Sequence, residues 1–185
     1  MTWNLTSKKT VLETKVFTIE ELGIFDSSTK KPLAHSYYRM VCPHWVNILP
    51  VTPQREAILI KQMRAGNLSY TLEVPGGEMD PDEKDPTMAA QRELEEETGY
   101  NSMRFLPLGS ISPNAALMTN KVHMFLALDA NLVPKRKHFP DDSESIEVVK
   151  VPISELESLV RLGRIDHALA ALTIMLGLKY LQKPE

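Results

Sequence analysis

One short helix fixes the plan of this chain. Asp85 can cap it, Pro86 suits its first position, and Gly99 suits the residue just past its end. The flanks are of another kind. Between Val11 and Thr71 the β-branched and aromatic residues come in short runs broken by turn residues. Residues 11–19, 34–42, 45–51 and 57–63 predict strands, with a turn at 26–30. Residues 106–112, 121–128 and 146–151 predict more strands beyond the helix. The apolar period then turns helical over 153–161 and, past a break at Gly163, over 165–181. Strands, one helix, strands, then two helices predict an α+β chain of the α/β/α sandwich type.

A chain of 185 residues, 43% hydrophobic and 24% charged, suits one globular domain. At that size it buries about 70% of its unfolded surface without covalent staples. The formal charge of −3 and pI near 6.0 argue against a polybasic footprint, so neither nucleic acid nor an anionic membrane is an expected partner. A single cysteine, Cys42, excludes an internal disulfide and a cysteine zinc cluster. The first ten residues lack the apolar core of a secretory signal, and no run approaches the ~20 apolar residues of a membrane span. The expected address is the cytoplasm.

The helix breaks two local rules at once. Glu93 lies three residues before Glu96 and four before Glu97, so all three carboxylates can share a face. Like charges so spaced destabilise an isolated helix by a few tenths of a kcal/mol per pair. They also sit near the C-terminal end, where the helix dipole disfavours anions. A solvated acidic face is the bland explanation for such a run. A hard divalent cation would reverse both costs, because oxygen ligands suit Mg²⁺.

The surrounding residues identify the motif. The segment resembles the Nudix box: glycine, five residues, glutamate, seven residues, then Arg-Glu-aliphatic-x-Glu-Glu-x-Gly and an aliphatic or aromatic residue. Gly77 and Glu83 have the right separation, and residues 92–100, Arg-Glu-Leu-Glu-Glu-Glu-Thr-Gly-Tyr, match the second half. Eight residues instead of seven separate Glu83 from Arg92, and the helix cap places the extra one in the loop at residues 80–84. The resemblance implies a Nudix-type α/β/α sandwich that hydrolyses a nucleoside diphosphate linked to another group, with Mg²⁺ as cofactor and Mn²⁺ as a substitute. It implies Glu93, Glu96 and Glu97 as metal ligands, the Gly76 carbonyl as a backbone ligand, and a supporting Glu83–Arg92 salt bridge.

The resemblance extends over most of the chain, to the ADP-ribose pyrophosphatase and nucleoside diphosphate sugar hydrolase branch. Residues 60–64, Ile-Lys-Gln-Met-Arg, and 72–77, Leu-Glu-Val-Pro-Gly-Gly, look like that branch's lead into the box. By this match Arg64 binds a substrate phosphate and Glu73 lines the same site. The acidic stretch at 141–147 resembles the loop that completes the site, giving Glu144 as a metal ligand and Asp142 or Glu144 as the general base. The branch also implies a homodimer, with strands in residues 1–50 at the interface and residues 51–185 forming the Nudix core. Tyr37, Tyr38, His44 and Trp45 are candidates for stacking on a purine. The five histidines show no metal-site spacing and read as structural or solvent-facing. ADP-ribose, cleaved to AMP and ribose 5-phosphate, is the leading substrate. Residues 166–168, Asp-His-Ala, stand where some nucleotide-sugar hydrolases carry Asp-x-Lys, which favours ADP-ribose over other nucleotide sugars. A nucleotide-binding module without activity is the alternative from another class. The intact set Arg92, Glu93, Glu96 and Glu97 speaks against it.

Overall fold

Two apolar runs in the middle of the chain build a sheet covered on both faces. In β5 (Trp45–Val51), Val46 and Ile48 pack to one side, while Leu49 and Val51 pack to the other. In β6 (Glu56–Arg64), Ile58 joins the first group, and Ala57 and Leu59 join the second. A sheet buried on both faces needs near-continuous apolar runs rather than alternation, and these strands have them. The computed structural model describes residues 2–139 and 145–182.

The other elements, in chain order, are β1 (Trp3–Glu13), β2 (Thr18–Asp26), β3 (Lys31–Pro32) and β4 (Tyr37–Val41) before β5, then β7 (Ser69–Glu73), β8 (Gly76–Glu78), α1 (Pro86–Thr98), β9 (Tyr100–Asn101) and β10 (Arg104–Ile111). The chain continues through β11 (Val122–Leu128), β12 (Asn131–Leu132), β13 (Ile146–Pro152), α2 (Ile153–Arg161) and α3 (Ala168–Leu181). They form two compact units, residues 1–44 with 111–121, and residues 45–110 with 122–185. Strand β5 is a central strand of the second unit's sheet.

In the second unit the strands run β10-β11-β5-β6-β13, with β7 paired to β6 and β8 to β5. Strands β5 and β11 are parallel, whereas β6 meets β7 and β13 antiparallel. Ala89, Ala90 and Leu94 of α1 cover one face. Ile153 and Leu156 of α2, Ile165, and Ala170 and Ile174 of α3 cover the other. The result is the expected α/β/α sandwich. Burial of a fully enclosed leucine or isoleucine contributes roughly 1.5–3 kcal/mol, so Leu94 and Leu156, both 0% exposed, fix their helices to the sheet.

Two expected elements differ. The strand predicted at 11–19 is the closed end of the antiparallel β1–β2 hairpin. The Thr14 hydroxyl accepts N–H groups of Val16 (3.2 Å) and Phe17 (2.9 Å), giving the backbone a turn in place of a ladder. The last helix starts at Ala168, not at 165. There, the N–H groups of Arg164 and Ile165 both donate to the Leu159 carbonyl, closing a turn that Gly163 permits with φ +67. In the first unit β2 pairs with β1, β3 and β4, and all eleven residues of β1 are exposed. Among the described residues no helix is long and apolar enough to cross a membrane.

Candidate active site

Helix α1 ends as its sequence dictates. Asp85 accepts the Thr87 N–H at 2.9 Å, and Gly99 takes the left-handed conformation, φ +74, donating its N–H to the Glu95 carbonyl. These stops set which residues face β8. The Glu97 carboxylate accepts the Gly76 N–H at 2.7 Å, and the Glu93 carboxylate lies directly on Gly77. A Cβ at Gly77 would come within 2.6–2.7 Å of that carboxylate, and one at Gly76 within 2.1 Å of the Val46 carbonyl oxygen. The glycine pair is therefore needed for close approach on both sides.

Arg92 is the hub of the acid cluster. It reaches Glu83 at 3.1 Å through Nε, Glu93 at 2.8 Å and Glu96 at 3.1 Å through Nη1, and the Glu78 carbonyl at 2.8 Å through Nη2. The expected Glu83–Arg92 bridge forms despite the additional residue. The loop absorbs it in a turn where the Glu83 N–H donates to the Asp80 carbonyl and Glu83 Oε2 accepts the Asp80 N–H. The Arg92 hydrogen bond, working against burial, holds the Glu83 carboxyl below the usual range. Burial opposes the charge of Arg92, yet Glu83 and Glu93 raise its pKa, so it stays cationic.

The unfavourable helix dipole has an answer from elsewhere in the chain. Arg136 donates Nε to the Glu95 carbonyl at 3.1 Å and Nη2 to the Glu96 carbonyl, placing a cation at the helix C-terminus. Glu95 points away from its three acidic neighbours and accepts the Lys137 N–H at 2.6 Å, which, with Asn101, lowers its pKa. We expect Arg136→Ala to cost about 1 kcal/mol in urea denaturation and Arg136→Lys to recover part of it.

A cavity of about 590 Å³ opens beside the glycine pair. Arg64, Glu73, Gly76 and Gly77 line it, as do Trp45 and His167. Glu73, 2% exposed, receives a two-pronged contact from Arg64, Nε at 2.8 Å and Nη2 at 2.9 Å. The Thr71 hydroxyl also donates to it, and His167 Nδ1 stands 2.7 Å from its second oxygen. Burial alone would push the Glu73 carboxyl up; Arg64, His167 and Thr71 together hold it well below the carboxylate range. His167, one of the five histidines read as structural or solvent-facing, contacts this buried carboxylate with a side chain 36% exposed. It opens α3 at the cavity wall.

The structure brings together Arg64 with Glu73, and Glu83, Arg92, Glu93 and Glu96 around one guanidinium, with Glu97 on the adjoining Gly76. Asp142 and Glu144 lie outside the described residues. Of the aromatic candidates, Trp45 reaches the cavity. Tyr37 packs against Trp3, and His44 accepts the Lys121 N–H. Among the described residues no three acidic, histidine or cysteine side chains form a ready-made metal cluster. Arg92 holds Glu93 and Glu96, while the Gly76 N–H holds Glu97. The donor chemistry nonetheless fits a hard cation, since every donor is oxygen and the glycine backbone leaves the carboxylates room at β8.

Comparison with known proteins places this geometry. The NUDIX domain family matches residues 44–171. The chain is 27% identical over 180 residues to the ADP-ribose pyrophosphatase of Bacillus subtilis (strain 168), covering 96% of this chain and 94% of that one. It is 37% identical over 132 residues to the ADP-sugar pyrophosphatase of Mus musculus, covering 66% and 59%. A solved structure of an ADP compounds hydrolase shares the fold with a TM-score of 0.83 at 24% identity, over 98% of this chain and 95% of that one.

Proposed function

The chain belongs to the NUDIX family and is a Nudix pyrophosphatase, and we propose that it cleaves ADP-ribose to AMP and ribose 5-phosphate with Mg²⁺. The observation that carries this reading joins two features. One is the oxygen cluster of α1 packed on Gly76 and Gly77, the other is the Arg64–Glu73 pair, and that glycine pair lines the same cavity as Arg64 and Glu73. The first suits a cation and the second an anionic group. A phosphoric anhydride bound to a divalent metal needs both.

Glu93, Glu96, Glu97 and the Gly76 carbonyl would hold Mg²⁺, with Mn²⁺ as substitute. The bound cation supplies charge neutralisation on the phosphates and lowers the pKa of an attacking water. Arg92 keeps the like-charged acids close together when no cation does so, and Glu83 keeps Arg92 in place. Glu73 fixes the plane of the Arg64 guanidinium. The Arg64 side chain is 45% exposed at the cavity, and its guanidinium is the group we assign to a substrate phosphate. For the base that orients or deprotonates water we propose Asp142 or Glu144. Trp45 is the aromatic at the cavity suited to stack on a base.

The ADP-sugar pyrophosphatase relative favours a second reading, hydrolysis of other nucleoside diphosphate sugars. A phosphate-release panel across ADP-ribose, nucleotide sugars, dinucleoside polyphosphates and triphosphates, with Mg²⁺ and with chelator, separates the readings. We expect ADP-ribose to lead and the chelator to abolish turnover. Preference for a triphosphate would overturn the proposal.

We also propose a twofold homodimer, with residues before Val51 heavy in the interface. Strand β1 supports this: its residues are all exposed, and they include Trp3, Leu5, Val11 and Leu12, each about half exposed. Light scattering at micromolar concentration is expected to give twice the chain mass, and a monomer would refute it.

A further inference from the structure

We propose that His167 is a substrate-binding residue that, with Arg64, grips one phosphoryl group of the substrate through its Nε2. The inference rests on the phosphoric-anhydride reading above and adds a residue to it. Arg64 Nε and Nη2 and the Thr71 hydroxyl donate to Glu73, and His167 Nδ1 stands 2.7 Å from its second oxygen. A ring nitrogen 2.7 Å from an ionised carboxylate oxygen must carry a proton, because two acceptors would repel at that distance. Glu73 therefore fixes the tautomer and turns the other ring nitrogen, Nε2, away from itself. The imidazole is 36% exposed and lines the cavity, as does Arg64.

The start of α3 adds to the same patch. His167 is its N-cap residue and makes no side-chain cap. Ala168 and Leu169, whose N–H groups have no intrahelical acceptor at that position, also line the cavity. A helix N-terminus favours an anion, and here it lies beside a guanidinium and an imidazole anchored by one buried carboxylate. Glu78 and Asp166 face the same cavity. Glu73, by contrast, is occupied by Arg64, Thr71 and the close His167 ring. One acid thus orients two cavity-facing donors, from β6 and from the start of α3, toward a shared anion.

The test uses the full chain and inorganic pyrophosphate as probe, titrated by calorimetry with Mg²⁺ present, beside ADP-ribose turnover. His167→Ala removes both ring nitrogens. His167→Asn places its amide nitrogen near the Nδ1 position, so it keeps the Glu73 contact and loses Nε2. Both variants are expected to bind pyrophosphate about 10-fold or more weakly than the parent, at unchanged melting temperature for His167→Asn. If His167→Asn binds like the parent, His167 only supports Glu73 and the inference fails. Equal binding by all three proteins, or no binding by the parent, overturns it as well. A parent that does not turn over ADP-ribose, while the variants still lose pyrophosphate affinity, removes the substrate reading and leaves the role of His167 standing.

Discussion

Glu97→Gln is expected to lose at least ~10³-fold in kcat with Mg²⁺ while folding normally in chelator. Gln keeps the shape and an acceptor for the Gly76 N–H, now 2.7 Å from Glu97 Oε2. It loses the charge that strengthens that bond, and it also loses the repulsion from Glu93 one turn earlier. Each effect is on the order of 0.5–1 kcal/mol and they oppose, so melts in chelator should agree within about 1 kcal/mol. Added Mg²⁺ should raise the parent's melting temperature and leave the variant's nearly unmoved, since binding to the folded state alone stabilises it. Other roles give other results. A solvated face leaves activity unchanged, whereas a structural contact loses stability in chelator.

Arg64→Ala is expected to lower kcat/KM by about 10²-fold or more, through lost stabilisation of phosphate charge in the transition state. It should also reduce stability, because Glu73 is 2% exposed and loses its two-pronged Arg64 contact, keeping those of Thr71 and His167. About 1–2 kcal/mol is expected, below the figure for a fully buried pair, because the Arg64 side chain is 45% exposed. Glu73→Gln added to Arg64→Ala removes the stranded charge and should restore the melting temperature without restoring turnover. Kinetics unchanged in Arg64→Ala would make it an ordinary surface residue.

What could be read from the sequence was local or patterned. The ends of α1 follow from Asp85, Pro86 and Gly99, whose effects reach only a few residues. The α2 boundaries and β5 follow from apolar runs of the right length and period. The Glu83–Arg92 bridge and the shared site of Arg64 and Glu73 came from a motif, which stores distant contacts as spacing, whereas the direct Arg64–Glu73 pairing came from the structure. Contacts outside any motif stayed hidden. His167 looked inert because its partner, Glu73, lies on a strand far earlier in the chain. Arg136 gave no local sign of capping α1, 40 residues upstream of it, so the dipole conflict looked unanswered. The β1–β2 hairpin was missed because Thr14 is β-branched and reads as strand, while its hydroxyl turns the chain.

Titration of the protein with Mn²⁺, followed by electron paramagnetic resonance of the free ion, tests most directly whether α1 holds the cation. The parent should bind Mn²⁺, Mg²⁺ should displace it, and Glu97→Gln should bind it at least about 10-fold more weakly. Identical binding curves for parent and variant, or no Mn²⁺ binding by the parent, would contradict a metal site built on Glu93, Glu96 and Glu97.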